Sequence, residues 1–98
     1  MVGNGITQID YLTIGVTGVK VADRDSTRKS IYIYNSSTGG QIITLLLSNT
    51  EAIVALKGIV LGPGMSFTDA DAEGYECWEG QIWAISSAAD GKISVYIR

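Results

Sequence analysis

The sequence contains no histidine, one cysteine and one proline, and only 17% of its 98 residues are charged. Each shortage removes a class of chemistry. Histidine is the side chain that ordinarily exchanges a proton near neutrality. Without it, a serine or cysteine nucleophile would depend on Lys20, Lys29, Lys57, Lys92 or a carboxylate as its base. A lone cysteine excludes an intrachain disulfide, and the missing histidines remove the common zinc and transition-metal ligand sets. Half of the ten carboxylates gather in one stretch, 69–79, of a very small domain, which leaves little room for the cleft that a paired-carboxylate glycosidase requires. A net charge of −3 gives no broad basic field for phosphates. No apolar run approaches the ~20 residues of a membrane span. The opening MVGNGITQ lacks the basic and apolar regions of a secretion signal. The expectation is a protein without enzymatic activity, cofactor, nucleic-acid partner or membrane segment, assembled in a cytoplasm.

What is present is apolar. Hydrophobic residues make up 46% of the chain and there are 12 glycines, a balance opposite to that of disordered segments. The length suits one domain with one core. So few charges cover a monomer sparsely, so part of the apolar surface is expected to meet another chain.

Strand periodicity recurs along the sequence. Residues 1–11 read as an arm and lead-in, with a single sandwich domain over 12–98. Leu12, Ile14 and Val16 alternate with Thr13, Gly15 and Thr17, the period-two pattern of a half-buried strand. Val19 and Val21 resume it after Gly18. Residues 22–30, ADRDSTRKS, are polar and read as a loop in which Arg24, Arg28 and Lys29 lie among Asp23 and Asp25. A salt-bridged surface loop suits them better than a phosphate site. In 31–34 Ile31 and Ile33 point to the core, and Tyr32 and Tyr34 to the outer face, where an aromatic body with a polar tip suits a half-wet contact. The stretch NSSTGG, 35–40, reads as a hairpin connection. QIITLLLS, 41–48, is apolar on both sides and suggests a central strand covered twice, while 52–56 is either a short strand or a crossing segment.

The stretch KGIVLGPGMSFTD, 57–69, carries the only proline. Gly62-Pro63-Gly64 predicts a tight reversal at an edge of the sandwich, because proline presets φ and glycine tolerates positive φ. Further on, Ile82 and Ala84 alternate with Trp83 and Ile85. Asp90-Gly91 gives a hairpin signal, and Ile93, Val95 and Ile97 alternate with Ser94, Tyr96 and Arg98. About seven to nine short strands with turn signals every 8–12 residues or so predict an all-β fold, a single small antiparallel sandwich. Periodicity does not choose between jelly-roll-like and immunoglobulin-like topology.

Two constellations bear on binding. Asp69, Asp71 and Glu73 followed by Gly74 resemble the opening of a calcium loop, since hard cations need converging oxygens around a sharp turn. Position five is Glu and position twelve is Gly80, so a solvated acidic hairpin tip is the preferred reading. Tyr32, Tyr34, Trp78 and Tyr96 are the candidates for a protein interface, where Trp and Tyr are enriched. Trp83 is expected in core or subunit contact, and Cys77 as a small buried hydrophobe.

Taken together, KGIVLGPGMSFTD and GQIWAISSAADGKISVYIR, with the strand RKSIYIYN at 28–35 before them, resemble a type of small β-sandwich protein of tailed-bacteriophage structural gene sets. The similarity spans residues 19–98. It implies a virion protein, most simply a capsid decoration (cement) subunit bound to the major capsid protein as a homo-oligomer, with a trimer favoured. A receptor- or glycan-binding module of a head or tail fibre, or a neck adaptor, is the alternative. Residues 1–11 would then reach a neighbouring subunit by strand addition.

Overall fold

The computed structural model describes residues 8–50, 53 and 56–98. Eight strands form two four-stranded antiparallel sheets: β1 (Gln8–Ile14), β2 (Val19–Ala22), β3 (Ser30–Asn35), β4 (Ile43–Leu47), β5 (Ile59–Leu61), β6 (Ser66–Ala70), β7 (Ile82–Ser86) and β8 (Gly91–Ile97). One sheet has the order β1-β8-β3-β6 and the other β2-β7-β4-β5. The pairs β1–β8, β2–β7, β3–β6 and β4–β5 are what results when a long hairpin, with its tip between β4 and β5, is wrapped around itself. That is jelly-roll topology, and it resolves the alternative that periodicity left open.

This wrapping changes the meaning of the turns. Only β4 and β5 are both consecutive and paired; every other connection carries the chain from one sheet to the other. The stretches at 35–40 and 88–91, expected as hairpins, are inter-sheet arches. A turn dipeptide fixes a local reversal but not which strand the returning chain will pair with. The Pro63 corner is likewise an arch, joining two edge strands of different sheets. Met65 N–H donates to Gly62 O at 3.0 Å across it and Gly64 has φ +82°, the left-handed value that a type II turn demands at its third position.

The core lies between the sheets. Ile14, Ile31, Ile33, Ile43, Leu45, Ile82, Ala84, Ile93 and Val95 are almost wholly excluded from solvent, and Leu12, Leu47, Ile59, Phe67 and Trp78 pack against them. Alternation predicted these inward residues in β3, β7 and β8. Val16 departs from it: β1 ends at Ile14, and Val16 stands 62% exposed. β4 is an interior strand whose outward Thr44 is also buried, because Leu56 N–H donates to Thr44 Oγ1 at 2.9 Å as the chain crosses that face. The division expected between an arm (1–11) and a sandwich (12–98) falls inside β1, since Gln8 to Tyr11 pair with Ile97 to Ser94. The rest of the expected arm, residues 1–7, and most of the ambiguous stretch 52–56 lie outside the described residues.

Candidate functional site

Three places combine exposure, unusual geometry or buried polarity. The first is the outer face of the β1-β8-β3-β6 sheet. Register places Tyr32 opposite Tyr96 and sets Ser94 between Tyr11 on β1 and Tyr34 on β3. The Tyr32 and Tyr96 rings meet edge to face with centroids 5.9 Å apart, a favourable arrangement of ring quadrupoles. A hydrogen bond with Tyr11 holds the Tyr96 phenol above its ordinary pKa. Three of the four interface candidates, Tyr32, Tyr34 and Tyr96, thus come together, and Tyr11 joins them at 72% exposure. Continuing the β1 alternation one step before Leu12 would have found Tyr11.

Trp78, the fourth candidate, is elsewhere. It packs on the core from the β6–β7 connection, half-buried, and its Nε1–H donates to Gln81 O at 2.8 Å. Gly80 is what allows this, because a Cβ there would collide with the indole. Trp83 is half-buried on the outward side of β7, opposite Lys20 and Leu46, and donates to Gln81 Oε1.

The second place is the loop end around Trp78, where the sequence reading needs correction. The stretch expected as a solvated acidic tip begins inside β6, and Asp69 is 7% exposed. Asp69 accepts hydrogen bonds from Tyr75 Oη–H and from Trp78 N–H, and Asp71 Oδ1 accepts one from Cys77 N–H at 2.8 Å. Asp71 and Glu73 stay exposed as expected of a tip, Glu73 in a two-residue turn closed by the mutual backbone bonds of Ala72 and Tyr75. The carboxylates therefore clamp their own loop; among the described residues no group of three or more acidic, Cys or His side chains converges as a metal site. The bond to Asp69, with burial, raises the Tyr75 pKa.

Arg28 is the larger correction. It was expected on a salt-bridged surface loop, yet it is 2% exposed. Its Nη1 donates to Trp78 O and Gly80 O at 2.9 and 3.1 Å, and its Nη2 donates to Asp23 O at 2.6 Å. No carboxylate pairs with it among the described residues, and Nε has no partner. The ion pairs there are peripheral: Lys20–Asp23 at 2.6 Å and Lys29–Asp71 at 3.8 Å. Cys77, buried beside this knot, donates Sγ–H to Arg28 O, and burial followed by the Asp71 charge pushes its pKa up to about 11. A thiol so protonated is a poor nucleophile.

The third place is the sandwich edge at β5. Leu56, Val60 and Met65 are 62%, 39% and 54% exposed. Val60 pairs with Thr44, whose hydroxyl also receives the Leu56 amide, so both apolar side chains belong to the rim around one residue. Met65 closes the Pro63 corner beyond, its Sδ 3.2 Å from Gly62 N. Leu56 has φ +65°, a conformation that costs an L-residue roughly 1–2 kcal/mol. No sequence signal marks Leu56 or Met65.

These surfaces are aromatic, aliphatic or structural, with no nucleophile, base and orienting group within reach of one another among the described residues. No family model matches the chain, nor does any curated protein or solved structure.

Proposed function

We propose that the chain is a virion structural protein, a capsid decoration subunit of a tailed bacteriophage that binds the assembled shell and stabilises it. The observation that carries the reading is the β5 edge, where a strained Leu56 stands exposed, as do Val60 on the strand and Met65 at the corner after it. Backbone strain that buries nothing in the isolated fold is worth keeping where a partner covers the side chain. The frame supports the same reading: the jelly roll makes β5 and β6 edge strands and joins them through the proline corner, so the edge is built into the fold. The resemblance of residues 19–98 to phage β-sandwich proteins supplies the phage setting. Decoration acts by mass action: a subunit that binds only the mature lattice shifts the equilibrium toward it. Occupation of three-fold lattice positions would make the subunit trimeric, because a shell imposes its symmetry on what sits upon it.

Protein quantitation on purified particles tests this. A decoration subunit is expected at a copy number close to that of the capsid protein, and particles lacking it should lose their contents at lower temperature. A handful of copies per particle would instead identify a fibre or neck component. Leu56→Ser with Met65→Ser should fold normally and detach from the shell.

A further inference from the structure

The tyrosine face is a second surface of different chemistry. Ser94 is the one small residue at its centre, with Tyr11 and Tyr34 directly across on the neighbouring strands and Tyr96 two residues along β8. A serine among tyrosines leaves a depression of about 480 Å³, lined by Tyr32, Tyr34, Ser94 and Tyr96. It is shallow and open to solvent, a platform on which a ring can lie rather than an enclosed pocket. Four hydroxyl groups, each able to donate and to accept, line it together with three aromatic rings, and none of its lining residues is charged. Two cations flank the face along the outward row of β8: Lys92, whose Nζ donates to Thr13 Oγ1 at 2.8 Å, and Arg98 two residues beyond Tyr96; neither lines the depression.

The geometry points to this cup as a binding site for a neutral oligosaccharide. A sugar ring has apolar C–H faces for the tyrosine rings and a rim of hydroxyls for Ser94 and the phenols. A phosphate or acidic chain finds no cation in the lining, and a basic chain finds no carboxylate. An aliphatic protein side chain would cover the Tyr32, Tyr34 and Ser94 hydroxyls without offering them partners, which is costly. The site is separate from the β5 edge, so a decoration subunit attached through that edge would carry the cup as an additional binding function.

The test is an amide-resolved NMR titration of the whole chain with neutral gluco-, manno- and galacto-hexasaccharides, and with hexagalacturonate as the acidic counterpart. At least one neutral probe should give saturable shifts confined to the surroundings of Tyr32, Tyr34, Ser94 and Tyr96, with Kd on the order of 1 mM, the weak end of specific affinity. Ser94→Tyr fills the cup at an outward strand position and should weaken binding about tenfold or more with an unchanged melting temperature; Tyr34→Ala should weaken it as well. Silence from every neutral probe, equal binding of hexagalacturonate, or undiminished binding by Ser94→Tyr overturns the assignment. So does loss of particle attachment in Ser94→Tyr, which would make the face a protein contact. Failure of Leu56→Ser/Met65→Ser to detach would exclude the β5 edge as the attachment surface, and a low copy number would refute the decoration reading; both leave the cup untouched.

Discussion

The two ends of β3 each hold a buried polar residue that ties loops together, and they do so with opposite electrostatics. At the C-terminal end Asn35, fully buried, donates from Nδ2 to Gln41 O and Leu61 O at 3.0 and 2.9 Å and accepts from Ser37 N–H at 3.0 Å. Its own N–H and C=O engage Met65 and Gly64 across the Pro63 corner. A neutral amide with its donors paired fixes that corner at small desolvation cost. Just before its N-terminal end Arg28 does the equivalent work for the β2–β3 and β6–β7 connections, with a full charge held by three backbone carbonyls, the Asp25 carboxylate near enough to feel it, and Nε unpartnered. Carbonyl dipoles replace water around the guanidinium, so burial of the charge is tolerated, but only while all three stay in place. One end is held by a neutral amide and a proline turn; the other is built around a buried charge, with Asp69 and Asp71 clamping the β6–β7 loop and Asp25 N–H donating to Glu79 O beside it.

Removing that side chain is therefore the largest single change we predict. Arg28→Ala should lower stability by about 3–5 kcal/mol in denaturant melts, because charge-assisted hydrogen bonds are lost and buried carbonyls are left unpaired. Arg28→Lys should recover only part of the loss, since an ammonium lacks the planar fork that reaches Asp23, Trp78 and Gly80 together. A cost below about 1 kcal/mol for Arg28→Ala would show that the loop end is held by something else. Asn35→Ala comes next, at about 2–4 kcal/mol, from two orphaned carbonyls and an orphaned amide partly compensated by the intact turn. If it proves costlier than Arg28→Ala, the contrast between the ends is reversed.

These two residues also mark where the sequence stops being legible. Alternation revealed the inward rows of β3, β7 and β8 because a sheet with one buried face writes period two into the chain. The Pro63 corner was legible because proline and glycine act locally. Arg28 was not, since a buried arginine in the stretch ADRDSTRKS differs from an exposed one only in what the distant residues 78 and 80 offer it. Asn35 read as the first residue of a loop for the same reason: its partners lie at 41 and 61. Jelly-roll pairing was hidden because pairing is a property of strands far apart in sequence. The tyrosine cup was half visible: Tyr32, Tyr34 and Tyr96 announced an outer face, but only register puts Ser94 between Tyr11 and Tyr34.

Alkaline pH gives a smaller handle on the Arg28 end. Cys77 titrates at about 11 against an ordinary 9.0, and the Tyr75 phenol is also raised, so the folded state retains protons that the unfolded chain releases. The stabilisation is complete below pH 9.0 and is lost as pH rises toward about 11, so melting temperature should decline across that window. Cys77→Ala with Tyr75→Phe should flatten the decline, and an unchanged slope would show that neither group contributes. Alkylation of native Cys77 at pH 8 should be slow until denaturant is added.

The smallest predicted effect sharpens the comparison most finely, because it separates two roles of one residue. Asp23 gives Arg28 its backbone carbonyl and gives Lys20 its carboxylate. Substitution by alanine deletes the carboxylate and keeps the carbonyl. The Lys20–Asp23 pair is short but exposed, and exposed pairs contribute about 0–1 kcal/mol because water screens them and ordering two side chains opposes them. Asp23→Ala should therefore cost under about 1 kcal/mol, and added salt should reduce the difference further. A loss approaching that of Arg28→Ala, insensitive to salt, would mean that the carboxylate is needed to hold the buried guanidinium. The charge at this end would then have a counter-ion acting through the loop, and the claim that three carbonyls suffice would fail.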